Sequence, residues 1–286
     1  MPTRVLVALD GSVLDPQTPV LFADDLAAVR GDGIFETLLV RAGRVMNLER
    51  HLTRLELSAH MLDLPAPDLD SWRDAVAVAV DRWSTLSTAE GLLRLFLSRG
   101  RESGGPTTAL VSVGPVPQRV ARVRADGVSV ITLDRGFDSD HARRAPWQLL
   151  GAKTLSYATN MAALRYAESL GADDVIFVSS DGFVLEGPRS TVALVTDGVL
   201  VTPPIEHGVL RGTTVDAVFD AASDMGLRCA HEPVQLSDLV AADTVWLLSS
   251  VTLAARVRTL DGVQRVAGRN DEAFARLVDR AVESGK

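Results

Sequence analysis

The sequence predicts an α+β protein of two domains, on three observations. Strand and helix patterns are interspersed without the regular βαβ alternation of a doubly wound sheet. At 286 residues the chain suits one large domain or two ordinary ones, with ample core. Near its middle, Gly114-Pro115-Val116-Pro117 cannot continue a central strand, because proline removes a ladder donor. The expected division is a small domain at 1–116, a linker at 117–122 and a larger domain at 123–286.

In chain order, Arg4 to Leu9 reads as a strand, Asp10-Gly11 as its turn and Pro16 to Asp25 as a loop. A glycine-marked turn, Gly31-Asp32-Gly33, feeds a strand through Ile34 to Val40 that returns at Ala42-Gly43. Two amphipathic helices follow, Leu48 to Met61 and Leu69 to Trp83, the second with Trp72, Val76 and Val80 on one face. Gly91 to Ser98 and Thr108 to Val113 alternate as strands around the loop 99–106. The second half opens with the strand Val128 to Leu133, then a polar segment, Arg135 to Pro146, and a helical pattern through Met161, Leu164 and Ala167. Val175 to Ser179 with Phe183 to Leu185, and Val192 to Thr196 with Val199 to Val201, form hairpin patterns across Asp-Gly turns. Gly212-Thr213-Thr214 opens a helix, Val245 to Leu248 is a buried strand ending at Ser249-Ser250, and Phe274 to Ala281 is a closing helix.

Composition excludes several classes. Hydrophobic residues at 47% and charged residues at 23% describe a soluble globular chain. A net charge of -8 argues against a nucleic-acid footprint or a polybasic membrane patch. No apolar run reaches the roughly 18 residues needed to span a bilayer, and the N-terminus lacks a signal-peptide core, so a cytoplasmic location is expected. The single Cys229 cannot pair internally, and no Cys/His cluster has metal-ligand spacing, so no metal is expected.

Lysine occurs only at Lys153 and Lys286, leaving one internal amine. It follows apolar Trp147, Leu149 and Leu150 and precedes a helical pattern. If partly buried, its pKa falls from about 10.4 and it can attack a carbonyl or act as a base; otherwise it is a surface cation at a helix start. A cofactor offering an aldehyde and a phosphate, pyridoxal 5'-phosphate, would need helix N-terminal amides, hydroxyls and an arginine for the phosphate. Gly212-Thr213-Thr214 and Arg54 offer these. It would also need a carboxylate to keep its ring nitrogen protonated, for which Glu186 is the candidate.

Six motifs recur in one order: Gly31-Asp32-Gly33-Ile34-Phe35-Glu36, His51-x-x-Arg54-Leu55, Gly151-Ala152-Lys153-Thr154-Leu155-Ser156-Tyr157, Leu185-Glu186-Gly187, Thr202-Pro203-Pro204 and Gly208-Val209-Leu210-Arg211-Gly212-Thr213-Thr214. Together they resemble the class IV aminotransferase family of pyridoxal phosphate enzymes, of fold type IV, over nearly the whole chain. The family includes branched-chain aminotransferases, D-amino acid aminotransferases and 4-amino-4-deoxychorismate lyases. The resemblance implies a D-amino acid aminotransferase-like fold, with Lys153 as Schiff-base lysine and proton shuttle and Glu186 on the pyridine nitrogen. It implies phosphate contacts from Arg54, Gly212, Thr213, Thr214, Ser249 and Ser250, with Leu210 packed on the ring. Ser249-Ser250 stands where the family usually has Gly-Thr, keeping a hydroxyl. A homodimer acting on a small-molecule amino substrate is also implied.

Within the family, Leu93-Arg94-Leu95 and Ala158 depart from the branched-chain pattern, whereas Leu97-Ser98-Arg99-Gly100 resembles the lyases and D-amino acid enzymes. The expected substrate residues are Arg99 for a carboxylate, with Arg101, Arg30 and Tyr157 near it. The expected activity is 4-amino-4-deoxychorismate lyase, releasing pyruvate and 4-aminobenzoate, a folate precursor. D-amino acid transamination is the alternative, and the two could coexist. A non-catalytic phosphate binder built on the 99–105 loop is the remote one, since that loop lacks both GxGxxG and GxxxxGK[ST].

Overall fold

The computed structural model of the chain describes residues 4–224 and 228–284, which divide into two compact units. One gathers the chain up to Pro117 together with Ala152–Tyr157; the other holds Gln118–Gly151 and the chain from Ala158 onward.

The first unit contains β1 (Val5–Ala8), β2 (Val13–Leu14), α1 (Leu26–Arg30), β3 (Gly33–Arg41), β4 (Arg44–Val45), α2 (Leu48–Met61), α3 (Leu69–Leu86), β5 (Gly91–Ser98) and β6 (Thr108–Pro115). Its strands form an antiparallel sheet in the order β2-β1-β6-β5-β3-β4. Successive side chains on a strand point to opposite faces, so Ile34, Glu36, Leu38 and Val40 share one face of β3. Helix α2 packs on β3, and α3 packs on β1 and β6. The buried residues of α2, His51, Leu52, Arg54, Leu55, Ser58 and Ala59, fall at the spacing of a single helical stripe. Half of that stripe is polar. Asp68 starts α3 by accepting from the amides of Asp70 and Ser71.

The second unit contains α4 (Arg119–Asp126), β7 (Val128–Asp134), α5 (His141–Arg144), α6 (Ala158–Ser169), β8 (Asp174–Val178), β9 (Glu186–Gly187), β10 (Ser190–Thr196), β11 (Val199–Thr202), α7 (Thr213–Asp224), β12 (Arg228–His231), α8 (Leu236–Ala241), β13 (Thr244–Ser249), β14 (Leu253–Leu260), β15 (Val263–Gln264) and α9 (Asp271–Ser284). Its mixed sheet runs β12-β11-β10-β13-β14-β7-β8, with β9 on β10 and β15 on β14. Strand β8 is buried throughout: Ile176 joins a cluster with Val192, Leu194, Val245 and Leu247, while Val175 and Phe177 join one with Leu185, Val209 and Ala167. A strand covered on both faces reads as a continuous apolar run.

Three expectations change. Strand β6 continues to Pro115, opposite Gly91 of β5; among the described residues its pairing with β1 ends at Val113, and a proline is tolerated at a strand's end. Residues 119–122, expected within a linker, begin α4, whose Val120 and Val123 are buried one turn apart. Phe183 to Leu185 makes only isolated bridges, Val178 with Val184 and Phe183 with Gln235, and the paired residues are Glu186–Gly187. Lys286 lies outside the described residues.

Candidate active site

Lys153 does not stand at a helix start. It lies in an extended segment laid along the beginning of β3 within the first unit. Its amide donates to Ser58 Oγ of α2 at 3.1 Å, its carbonyl accepts from the Phe35 amide at 3.1 Å, and the Leu155 amide donates to the Gly33 carbonyl at 2.8 Å. Ser156 Oγ donates to the Gly31 carbonyl at 3.2 Å. The Gly-Asp-Gly turn makes this approach possible: a Cβ on Gly31 would sit 2.7 Å from Ser156 Oγ, and one on Gly33 would meet Leu155 and the Leu97 carbonyl. The amine of the half-buried Lys153 lies 4.5 Å from the Phe35 ring centroid and 5.9 Å from that of Tyr157. Those rings meet edge to face at 5.4 Å. Its apolar surroundings are therefore Phe35 and Tyr157; Trp147, the sequence neighbour, is 72% exposed.

Directly across β3, the other face carries a buried polar network. Arg54 donates from Nε to Glu36 Oε1 at 2.8 Å and from Nη2 to Oε2 at 2.7 Å, and His51 Nδ1 donates to Oε2 at 2.7 Å. Glu36 and His51 are fully buried and Arg54 nearly so. Burial alone would push the Glu36 carboxyl up, but the charge and hydrogen bonds of Arg54, then of His51, hold it well below the usual carboxylate range. Burial pushes His51 down; Glu36 opposes this, while the positive charges of Arg54 and Lys153 add to it. His51 is thus a neutral donor to an ionised Glu36.

In the second unit, Glu186 on β9 pairs with Thr191 of β10, and its Oε2 accepts from the Leu210 amide at 3.1 Å. Gly212 precedes α7, where a Cβ would collide with the Thr191 side chain. Thr213 and Thr214 are buried at the first turn of α7, and Thr213 Oγ1 lies 3.4 Å from Ser250 Oγ, just beyond Ser249 at the end of β13. Thr214 Oγ1 is buried with no hydrogen-bond partner among the described residues. Helix amides with adjoining hydroxyls are suited to an anion.

A family model described as amino-transferase class IV matches residues 33–260. The chain belongs to the class IV aminotransferases. It is 54% identical over 289 residues to a bifunctional aminodeoxychorismate lyase / D-amino acid transaminase of Mycobacterium tuberculosis, covering 99% of this chain and 100% of that one. Among solved structures, a hypothetical aminotransferase from Mycobacterium tuberculosis in its PLP-bound form matches with a TM-score of 0.97 at 54% identity, over 99% and 100% of the two chains. A fold IV-transaminase from Curtobacterium pusillum matches with a TM-score of 0.91 at 40% identity, over 97% and 98%.

In this class IV aminotransferase the first unit offers an amine beside two aromatic rings, and the second unit offers a carboxylate on a short strand and a helix start with a buried hydroxyl unmatched among the described residues; each is suited to a phosphorylated aldehyde cofactor. The arginines expected to meet substrate are otherwise engaged. Arg99 donates to Asp32 through Nε at 2.6 Å and to the Leu62 and Asp63 carbonyls, tying the end of α2 to the Gly-Asp-Gly turn. Arg101 donates to Asp24 at 2.9 Å and stacks on Phe22 at 4.3 Å. Hydrogen bonds from Ser103 and then Arg101 hold the Asp24 carboxyl at about 2. Arg30 is exposed, 3.6 Å from Glu102. The sequence reading assigned no role to Ser58 or to the Glu36 carboxylate. The available signal was spacing, since Ser58 stands one turn beyond Arg54 on the same stripe. Among the described residues no group of His, Cys, Asp or Glu is arranged to hold a metal, and no helix is long and apolar enough to cross a membrane.

Proposed function

We propose that this class IV aminotransferase is a pyridoxal phosphate-dependent 4-amino-4-deoxychorismate lyase that also transaminates D-amino acids. The observation that carries this reading is the end-to-end likeness, at 54% identity, to a protein named for both activities. The lyase converts 4-amino-4-deoxychorismate into 4-aminobenzoate and pyruvate with no other reactant. The departures at Leu93-Arg94-Leu95 and Ala158 weigh against a branched-chain activity.

Pyridoxal phosphate, when bound, supplies an aldehyde for an amine and a protonated ring that draws electron density from the neighbouring carbon. Lys153 holds the cofactor until the substrate amine replaces it. Its freed amine then removes the proton from the carbon bearing that amine, as a general base. The electron pair released expels the enolpyruvyl oxygen, the ring becomes aromatic, and a proton returned to the departing enol gives pyruvate. Glu186 keeps a proton on the pyridine nitrogen, and the Leu210 amide on its Oε2 supports the ionised form this requires. Arg54, Gly212, Thr213, Thr214, Ser249 and Ser250 hold the phosphate; the unmatched Thr214 hydroxyl supports this assignment. Tyr157 borders the lysine and the substrate. Arg99, as clamped, serves first to fix the Asp32 turn, and a substrate carboxylate would have to compete with Asp32 for it.

Transamination uses the same lysine to move a proton between two carbons, with an oxo acid as acceptor. A homodimer, implied by the family resemblance, and the cytoplasmic location expected from the sequence are part of the proposal. The reading is tested by supplying 4-amino-4-deoxychorismate without any oxo acid: 4-aminobenzoate should form, and D-alanine with 2-oxoglutarate should separately yield pyruvate.

A further inference from the structure

We infer that Glu36 is a positioning residue for Arg54, fixing the plane of the guanidinium that grips the cofactor's phosphate. This rests on the phosphate-binding role given to Arg54 above. An arginine side chain has high rotamer freedom, and a phosphate grip needs its fork held in one plane. Glu36 engages two guanidinium nitrogens with two oxygens, at 2.8 Å and 2.7 Å, which removes rotation about the terminal bonds. Glu36 is itself held by the Nδ1 donor of His51 at 2.7 Å and by its place in β3 opposite Leu95. Glu36 and His51 are fully buried and Arg54 nearly so, which leaves solvent little access to these bonds.

Stability alone is a weak reason to keep such a network, since a buried ion pair costs desolvation that apolar residues of similar volume would avoid. Nor does charge explain it. Glu36 brings a negative charge to an arginine that receives an anion, so on Coulomb grounds it weakens the grip. Its benefit must be geometric, and that fixes the sign of the test. Replacing Glu36 by neutral Gln would tighten phosphate binding if charge governed, and loosen it if positioning governs.

The experiment measures the affinity of full-length apoprotein for pyridoxal 5'-phosphate and for pyridoxal, which lacks the phosphate, in wild type, Glu36→Gln, Arg54→Gln and the double variant. The expected result is a loss of about tenfold in the phosphate-to-pyridoxal affinity ratio in Glu36→Gln, absent when Arg54 is already Gln. An unchanged or increased ratio, or equal losses for both ligands, would overturn the inference. If Arg54→Gln leaves the ratio unchanged, the phosphate role of Arg54 fails, and the inference with it; if only Glu36→Gln leaves it unchanged, the inference alone fails. Should Glu36→Gln not fold, Glu36→Asp keeps the charge but withdraws the carboxylate by one methylene. It should show the same selective loss, and a wild-type ratio there would overturn the inference.

Discussion

Lys153 owes its place to backbone contacts with Ser58, Phe35 and Gly33, and its amine to the faces of Phe35 and Tyr157. Lys153→Ala should therefore leave the fold intact and lower turnover by about 10²–10⁴-fold or more, the usual worth of a general base, read as pyruvate release. Glu186→Gln should still bind pyridoxal phosphate but slow turnover by about tenfold or more, because one charge-assisted contact to the ring nitrogen is lost. The Glu36 network gives a pH dependence. His51 and Glu36 are both held below their ordinary values of 6.5 and 4.5, so the unfolded chain binds protons that the folded chain refuses. His51's contribution is complete above 6.5 and is lost as pH falls below it; that of Glu36 is lost only at lower pH. Between pH 6.5 and 5, stability should fall by up to about 1.4 kcal/mol per pH unit through His51, and His51→Gln should flatten the Tm profile in that window. An equally steep profile in the variant would place the titrating group elsewhere. At this scale the sequence was partly legible. Lys153 stood out by the scarcity of lysine and Thr213-Thr214 by a helix start, but Ser58 and Phe35 act through tertiary contacts that leave no local pattern.

Strand β3 and helix α2 organise the candidate residues of the first unit, with the lysine segment on the start of β3 and the Arg54 network on its α2 face. The Gly-Asp-Gly turn is the joint. Gly33→Ala would force a Cβ against the Leu97 carbonyl, which is backbone and cannot swing away; a cost of about 1–3 kcal/mol follows, measurable as a lowered Tm. Unchanged stability would mean that the segment is not seated there. Helices α3 and α9 were readable because each carries a long apolar stripe at helical spacing, and α2 because its Leu52, Leu55 and Ala59 keep that spacing. The short elements were not. Helix α5 has no buried residue to set a period, and β9 is two residues long. Strand β6 reached Pro115, two residues beyond the predicted end at Val113, because its pairing with β5 continues there as far as Gly91.

The whole molecule shows what each kind of reading can reach. An α+β class was legible because strand and helix periods are interspersed through both halves. The attachment of Ala152–Tyr157 to the first unit was not, because it depends on bonds between residues about a hundred positions apart. The proposed activity assigns one lysine to one substrate amine, and it is tested most directly by a single assay. Purified protein loaded with pyridoxal phosphate is given 4-amino-4-deoxychorismate without an oxo acid, pyruvate and 4-aminobenzoate are followed together, and Lys153→Ala is the blank. Equal release of both products by wild type and none by the variant is the expected result. Release of neither product, by protein that still transaminates D-alanine, would contradict the lyase reading and leave a transaminase alone.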